Sequence, residues 1–471
     1  MRKTKRVFAQ FTFFDRTGIQ NFLEKQAQKG WMLEKISQYG WKFRRTEPAK
    51  INFAVTYFPG ASVFDPEPSE NQKSFWELCE HTGWKLVSYN AQMQIFCNEK
   101  ENPVPIETDP QTELETIEKS AKKSYLPSFY VLTVCGVLQL LLQLWQFSTD
   151  PLDWLSHNSG LFSIICWSTM LAMCLIEILG YFSWRKKARK AVEETNSFIA
   201  TKGYRKIEIA LLWFILAVFA VFLLSIEPRF ALIAVISSCV VAVMSMAVWA
   251  FSNLLKKFKV SASANKIATV ITIIVMAFGV TGVLLFAVIH KAMDAGWFDK
   301  DVAYTYEYKG REWKVYDDDL PLMIEDIIET DYEGYSTSWY GDESLFMAKH
   351  NAYQDPRMYD LEQPDLQYTL VKVKLPFLYN FAHKQMLKDF PHNYGVTEYE
   401  WEFYEHSVEI PASEWGALYA YQNYTGDTPN NEYLLCYDNI IVRLRPDHTI
   451  EMTSQVKANI GKVLGGVVVC N

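Results

Sequence analysis

The sequence predicts a multi-pass α-helical membrane protein, with five transmembrane helices and a soluble α+β domain at each end. Three observations predict it. Five apolar runs stand between Tyr125 and His290, a Gly-Trp unit occurs twice before them, and an acidic, aromatic-rich stretch follows them. A spanning helix needs about 20 predominantly apolar residues, since each rises 1.5 Å and the hydrocarbon layer is about 30 Å thick. The runs Tyr125–Phe147, Ser159–Phe182, Ile207–Ile226, Arg229–Ser252 and Ile267–His290 all qualify. Helix is the expected form, because lipid cannot satisfy open backbone groups and the alternation of a membrane barrel is absent. The domains expected are 1–106, a cytoplasmic α+β domain; 107–124, a polar helical linker; 125–290, the five-helix region; and 291–471, an extracytoplasmic acidic α+β domain.

In the first domain Val7–Phe13 reads as a strand and Thr17–Lys29 as a helix with Phe22, Leu23 and Ala27 on its apolar side. Gly30-Trp31 ends the helix, glycine being the natural residue past a helix C-terminus. Met32–Ser37, Trp41–Arg45 and Ile51–Phe58 read as strands. A second copy follows: Trp76–Thr82 as helix, Gly83-Trp84 as stop, and Lys85–Tyr89 and Met93–Cys97 as strands. Aligning Gly30 with Gly83 gives an internal repeat of helix, Gly-Trp, strand, strand. The physical reading is one α+β domain with helices on one face of an antiparallel sheet, anchored by Trp31 and Trp84 as equivalent core residues. The functional alternative is an aromatic ligand pocket.

These segments, FLEKQAQKGWML and FWELCEHTGWKLV followed in the first copy by FRRTEP, resemble the DUF2812 family over Phe13 to about Pro105. The resemblance implies a small soluble domain ahead of membrane helices, in proteins mainly of Bacillota. That family brings no established activity and no catalytic residues. Its members often stand beside PadR-type regulators, which implies a regulatory or stress-related setting.

Glu107–Ser124 reads as a polar helix running into the first span, with Asp109 as N-cap, Pro110 at the first helical position and Pro127 as a candidate kink. It is expected as a solvated spacer, or alternatively as a coupling helix.

Orientation follows from Lys and Arg in the flanks. Lys119, Lys122 and Lys123 precede the first span, and the loop 148–158 carries none. The loop after the second span holds Arg185, Lys186, Lys187, Arg189, Lys190, Lys202, Arg205 and Lys206. Lys256, Lys257, Lys259 and Lys266 follow the fourth. The pattern predicts a cell-membrane protein with its N-terminus cytoplasmic and its C-terminus extracytoplasmic. The basic start of the chain lacks the long apolar run of a signal peptide, so the first span is expected to do the targeting. The basic loop would also attract anionic headgroups, and Phe198–Tyr204 is faintly like a third Gly-Trp unit.

Polar positions line the spans. Gln139, Gln143 and Gln146 share a face of the first, and Ser163, Cys166, Met170, Cys174 and Glu177 share one of the second. Ala234, Ser238, Ala242 and Ser245 form a small-residue stripe on the fourth. Helix packing accounts for such stripes, and a polar path for a solute is the alternative. Glu177 is the intramembrane acid, a functional candidate by its position, although it stands near the Trp184-Arg185 boundary where it could reach the interface. No Gly/Pro-broken pair of spans marks a transporter site.

The tail differs in charge. Residues 1–290 hold 31 Lys and Arg against 23 Asp and Glu, a net +8, while residues 291–471 hold 15 against 31, a net −16; the two make up the −8 of the chain. Such a tail argues against nucleic acid as partner. Its punctuation and its Trp and Tyr content predict a fold: a hairpin at Tyr304–Tyr308 and Glu312–Tyr316, a helix at Pro321–Thr330, a strand at Tyr368–Lys374, a helix at Leu378–Asp389, a hairpin turning at Asp438-Asn439, and a terminal helix at Thr453–Leu464.

Candidate chemistry is sparse. Asp317, Asp318 and Asp319 could hold a divalent metal, but Asp319 also reads as a helix N-cap. Gly334, Ser336 and Ser338 lack the last glycine of a nucleophile elbow. His350, His383, His392, His406 and His448 show no metal-ligand spacing. Eight cysteines contain no C-x-x-C, and only Cys436 and Cys470 would meet an oxidising compartment. No phosphate-binding loop occurs, and no cofactor is expected.

The expectation is a non-enzymatic sensory, regulatory or scaffolding membrane protein, associated with the lipid bilayer and a protein partner. The alternative is an accessory or assembly subunit of a transporter, and a third reading is a membrane enzyme acting on lipid or cell wall.

Overall fold

The structure, a computed structural model, describes residues 3–467 except 10, 38–39, 202–204, 227, 295–301, 309, 330–334, 357–362 and 393–402. It divides into two compact units, Met1–Leu141 with Ile164–Ala287, and Leu142–Ser163 with Val288–Asn471.

The first unit opens with β1 (Thr4–Val7), α1 (Arg16–Gln28), β2 (Trp31–Lys35) and β3 (Trp41–Arg45), then repeats the pattern as β4 (Asn52–Tyr57), α2 (Glu70–His81), β5 (Lys85–Asn90) and β6 (Met93–Asn98). The single sheet expected from the repeat is in fact two antiparallel sheets of three strands, ordered β1-β3-β2 and β4-β6-β5. Each repeat therefore owns one sheet, and the unit that repeats is strand, helix, strand, strand. Even the irregularity recurs: a bulge falls between Leu33 and Lys35 in one copy and between Leu86 and Ser88 in the other. Both helices end as their glycines require, with φ of 74° at Gly30 and 94° at Gly83. A Cβ at Gly30 would stand 2.7 Å from the Thr46 carbonyl oxygen.

Two-residue alternation explains how the second sheet is covered. Phe53, Val55, Tyr57, Ile95 and Cys97 face the core shared with α1 and the first sheet. Ala54 and Phe96 face the opposite way, against Cys79, Phe75 and Trp76 of α2 and against Trp84. The first strand lies earlier than expected, and Phe11, Phe13 and Phe14 beyond it pack as core in irregular chain.

The segment expected as a solvated spacer is α3 (Pro110–Ser120), and Leu114, Ile117 and Ala121 on its apolar edge are buried in the same core. Asp109 caps it, accepting from the backbone N–H groups of Gln111 and Thr112, and Pro110 takes the first position. A π turn, Ala121–Tyr125, joins it to α4 (Leu126–Thr149). The turn stands just ahead of Pro127, which lacks an N–H and crowds the preceding turn.

The remaining helices before the tail are α5 (Pro151–Ser156), α6 (Asn158–Thr195), α7 (Arg205–Ser225), α8 (Pro228–Lys257), α9 (Ala262–Val275) and, after a second π turn, α10 (Thr281–Asp294). Among the described residues, five helices are long and apolar enough to cross a membrane: Pro110–Thr149, Asn158–Thr195, Ile207–Ser225, Phe230–Lys257 and Ala262–Gly279. Close helix approach occurs at Gly136, where an added Cβ would meet Met170 at 3.2 Å.

The second unit holds the hairpin β7 (Tyr304–Tyr308) and β8 (Arg311–Val315), the short helix α11 (Ile324–Ile327), then β9 (Tyr335–Glu343), β10 (Met347–Pro356), β11 (Leu366–Val373), α12 (Tyr379–Asp389), β12 (Glu405–Glu409), β13 (Tyr419–Thr425), β14 (Thr428–Cys436), β15 (Ile440–Pro446) and α13 (Ser454–Val467). Seven strands form one antiparallel sheet, ordered β12-β13-β14-β15-β11-β10-β9. Its central strands are apolar on both faces. Leu435, Ile440, Val442 and Leu444 pack with α11, α13 and the fully buried Trp415. Leu434, Cys436, Ile441 and Val371 pack with α12 and with Leu152 and Leu155 of α5. The loop after the first apolar run is thus part of this domain. Leu155 lends its carbonyl to the Ser344 hydroxyl at 2.5 Å, and Lys349 stands 3.3 Å from Asp150.

Candidate functional site

Three polar contacts, two of them among well-buried groups, fasten the Gly-Trp domain to α6 and to the segment after it within the first unit. On α3, Glu118 is nearly enclosed, its side chain 9% exposed, and it lies 2.8 Å from Arg185 and 2.7 Å from Arg189 of α6. Asp15 caps α1 through the Gly18 N–H at 3.0 Å and accepts the Thr201 hydroxyl at 2.9 Å. Thr17 and Thr201 exchange backbone N–H to hydroxyl bonds at 3.1 and 3.2 Å. Between these points the Tyr125 hydroxyl donates to the Glu177 carboxylate, and a second buried acid, Glu208 of α7, stands beside Glu177.

Arg16 is enclosed beside them and pairs with Glu113 and, at 4.0 Å, with Glu107. Burial pulls the Arg16 pKa down, with Glu107 opposing. Burial likewise pushes Glu107 up, against the pull of Arg16. In both groups the loss of water outweighs the attraction of the partner.

Next to Glu177 lies a cleft of about 490 Å³, lined by the rings of Phe11, Phe13, Trp41, Tyr125 and Phe129. Phe11 meets Trp41 at 5.5 Å, Phe13 stacks on Tyr125 at 5.2 Å, and Phe129 stands edge-on to Tyr125 at 4.9 Å.

The residues singled out in the sequence fall into separate places. Glu177 does not reach outward; it is 8% exposed and faces Tyr125 and Glu208. Trp84 is buried and donates its indole N–H to the Val104 carbonyl at 2.8 Å. Trp31 is only half-buried, with Lys5 and Arg45 over its ring at 4.5 and 5.0 Å, so the two tryptophans have unequal surroundings. Gln143 donates to Ser163 at 3.1 Å and accepts from Trp154 at 3.0 Å, a helix-packing arrangement, while Gln139 is half-buried on the same helix. The serines of the α8 stripe bond back to their own helix, Ser238 to Ala234 and Ser245 to Val241, each at 2.8 Å.

Asp319 does not cap the helix expected at Pro321–Thr330. That helix is shorter, and Asp326 supplies its cap bond, accepting the Met323 N–H at 2.9 Å. Asp318 accepts the Trp339 N–H at 2.7 Å and Asp317 bridges to Thr337, so both tie the chain to β9. Ser336 takes the Tyr316 N–H, a strand contact; Gly334 lies outside the described residues. Cys470, expected as a candidate partner of Cys436, also lies outside them, as do residues 202–204 of the faint third Gly-Trp unit. Cys436 is fully buried, and burial pushes its thiol up to about 12.

Among the described residues, the ligand atoms of His392, Glu405 and Glu432 lie within 4.8 Å of one another, as metal ligands would. Arginines already serve there: Arg443 stands 2.7 Å from His392 and 2.8 Å from Glu432, and Arg445 also 2.8 Å from Glu432. The positive charge a metal would bring is in place.

Glu208 was missed in the sequence, though an acid at the second residue of an apolar run is a visible signal. Thr201 and Glu118 carried none, because their partners are 186 and 67 residues away.

The fold and the site define a duplicated strand-helix-strand-strand domain bonded to a set of apolar helices. Residues 15–129 match the family described as "Protein of unknown function (DUF2812)", so the chain carries a DUF2812 domain. The match runs past the Gly-Trp repeats through α3 and into the start of α4. No curated protein matches the chain, and no solved structure does.

Proposed function

We propose that the chain is a multi-pass integral membrane protein that senses or regulates without catalysing a reaction, joining an extracytoplasmic domain to a cytoplasmic one. One observation carries this reading: each soluble domain is bonded to the loop that the positive-inside rule assigns to its own side. Arg185, Arg189 and Thr201, from the basic loop, hold the Gly-Trp domain. Helix α5, from the loop without Lys or Arg, packs in the core of the acidic domain. The DUF2812 domain is then cytoplasmic and the acidic sheet domain extracytoplasmic, and α3 is the element that would carry a change from one to the helices.

The test is labelling with a membrane-impermeant maleimide in a cysteine-free background. Tyr340→Cys, on the exposed part of β9, should label in intact cells, and Lys35→Cys, on β2, only after lysis. The opposite pattern would sink the orientation and the sensing role with it. Capture from native membranes in mild detergent separates the accessory-subunit alternative, which requires a transporter in stoichiometric yield. Gln143 is spent on Ser163 and Trp154, which favours packing over a solute path through this chain.

A further inference from the structure

We propose that the aromatic cleft beside Glu177 binds a lipophilic organic cation, seated against its rings and held by the Glu177–Glu208 pair. The proposal rests on the sensory reading and names its ligand class. Three independent features converge. The first is charge. Glu177 lines the cleft at 8% exposure and accepts the Tyr125 hydroxyl, and a second buried acid, Glu208, stands beside it. Among the described side chains, which do not include those of Arg205 and Lys206, the neighbouring cations are engaged elsewhere: Arg16 by Glu107 and Glu113, Arg185 and Arg189 by Glu118, and Lys123 by the Pro59 and Gly60 carbonyls. Among the described residues no Lys or Arg pairs with Glu177 or Glu208, although an acid in apolar surroundings calls for a counter-charge.

The second feature is the lining. Trp41, Tyr125 and the phenylalanines offer ring faces, which attract cations and repel anions by their quadrupole. The cleft's volume of about 490 Å³ suits a ligand of drug size. The third is an unspent polar group. Thr12 lines the cleft at 2% exposure, and its hydroxyl has no partner. A buried polar group without a partner is costly, and a bound polar ligand would relieve it.

Equilibrium dialysis of the full-length protein in detergent, against a protein-free micelle blank, tests this with two probes of one shape and opposite charge. Tetraphenylphosphonium should bind saturably, and tetraphenylborate should stay at the blank level. Glu177→Gln combined with Glu208→Gln should weaken phosphonium binding at least tenfold. Equal uptake of the two probes, or unchanged affinity in the double variant, overturns the proposal. If the double variant does not stay monodisperse, Ala9→Phe decides, because it fills the cleft and leaves both carboxyls; retained binding there overturns it too. The outcomes also separate the two readings. Cation binding that leaves partner capture unchanged retires the sensing role and keeps the site. Partner capture without cation binding retires the site alone.

Discussion

Single residues decide how firmly the Gly-Trp domain is held. Glu118 is enclosed between two guanidinium groups, so Glu118→Ala would leave two arginines facing each other without their counter-ion. Removing one partner of a buried pair costs about 3–5 kcal/mol. Because Arg189 is half in solvent, the expected loss is at the low end, about 3 kcal/mol, read as a fall in melting temperature of the purified chain. The two repeat tryptophans should separate in the same assay. Trp84→Ala empties a filled core site and should cost about 3–5 kcal/mol. Trp31→Ala removes a half-exposed ring under two cations, a contact worth about 0.5–1 kcal/mol. Equal losses would restore the symmetry that the sequence suggested. In the tail, burial works to raise the Glu432 pKa, but Arg443, Asn423 and Arg445 outweigh it and hold the carboxyl below its ordinary value of 4.5. Burial, with Arg443 beside it, holds His392 below its ordinary 6.5. Both groups bind more protons when unfolded, so stability rises with pH in both windows. Acidification should therefore lower the melting temperature first below about 6.5, through His392, and again below 4.5, as pH falls toward the folded value of Glu432. Glu432→Gln should reduce the second step and enlarge the first, because the Glu432 charge opposes the lowering of His392.

At the scale of elements, the sequence was most legible where one local rule suffices. Gly30 and Gly83 mark helix ends because only glycine takes their backbone angles without strain. The strands β3 to β6 follow from alternation, and α12 and α13 from helical spacing. The two-sheet arrangement was not legible, because the repeat specifies each unit's own pairing and not which strands lie next to the other copy. Strands β9, β10, β12 and β13 escaped because their solvent-facing charges and amides hide the alternation. Asn423 and Gln354 are buried yet read as loop residues. The site was half legible. Glu177 stood out as an acid in an apolar run, but the residues facing it, Tyr125 and Glu208, come from two other elements distant in the chain. Helix α5 was invisible as well, being six residues in a loop. Its contribution is open to measurement. Leu152 and Leu155 are 3% and 7% exposed in the lower core of the sheet domain. Replacing either with alanine should cost about 2–5 kcal/mol by the usual cavity rule. The loss would appear in hydrogen exchange as faster opening of β10 and α12. Unchanged protection there would mean that α5 is not part of this core.

For the whole molecule, the divide in charge is the property from which the functional proposal descends, and it makes a prediction that separates insertion from folding. The basic loop contains cations of two kinds. Arg185 and Arg189 are bonded to Glu118, so their loss would damage the domain as well as the orientation signal. Lys186 and Lys187 are surface residues on the same helix, and Lys190 has only a weak contact to Glu194 at 3.6 Å, 72% and 62% exposed. An exposed pair of that kind contributes about 0–1 kcal/mol. Changing Lys186, Lys187 and Lys190 together to glutamine therefore removes three topogenic charges and leaves the packed structure nearly untouched. If the Lys and Arg bias sets the orientation, a fraction of the triple variant should insert inverted, with Lys35→Cys now labelled in intact cells. Melting of the correctly inserted fraction should match the parent. Arg185→Gln with Arg189→Gln should do the reverse: fewer charges lost, a larger fall in melting temperature, and less inversion. If both variants invert equally and melt alike, the cations of this loop are not divided between the two tasks, and the bond between the DUF2812 domain and α6 is not what holds it in place.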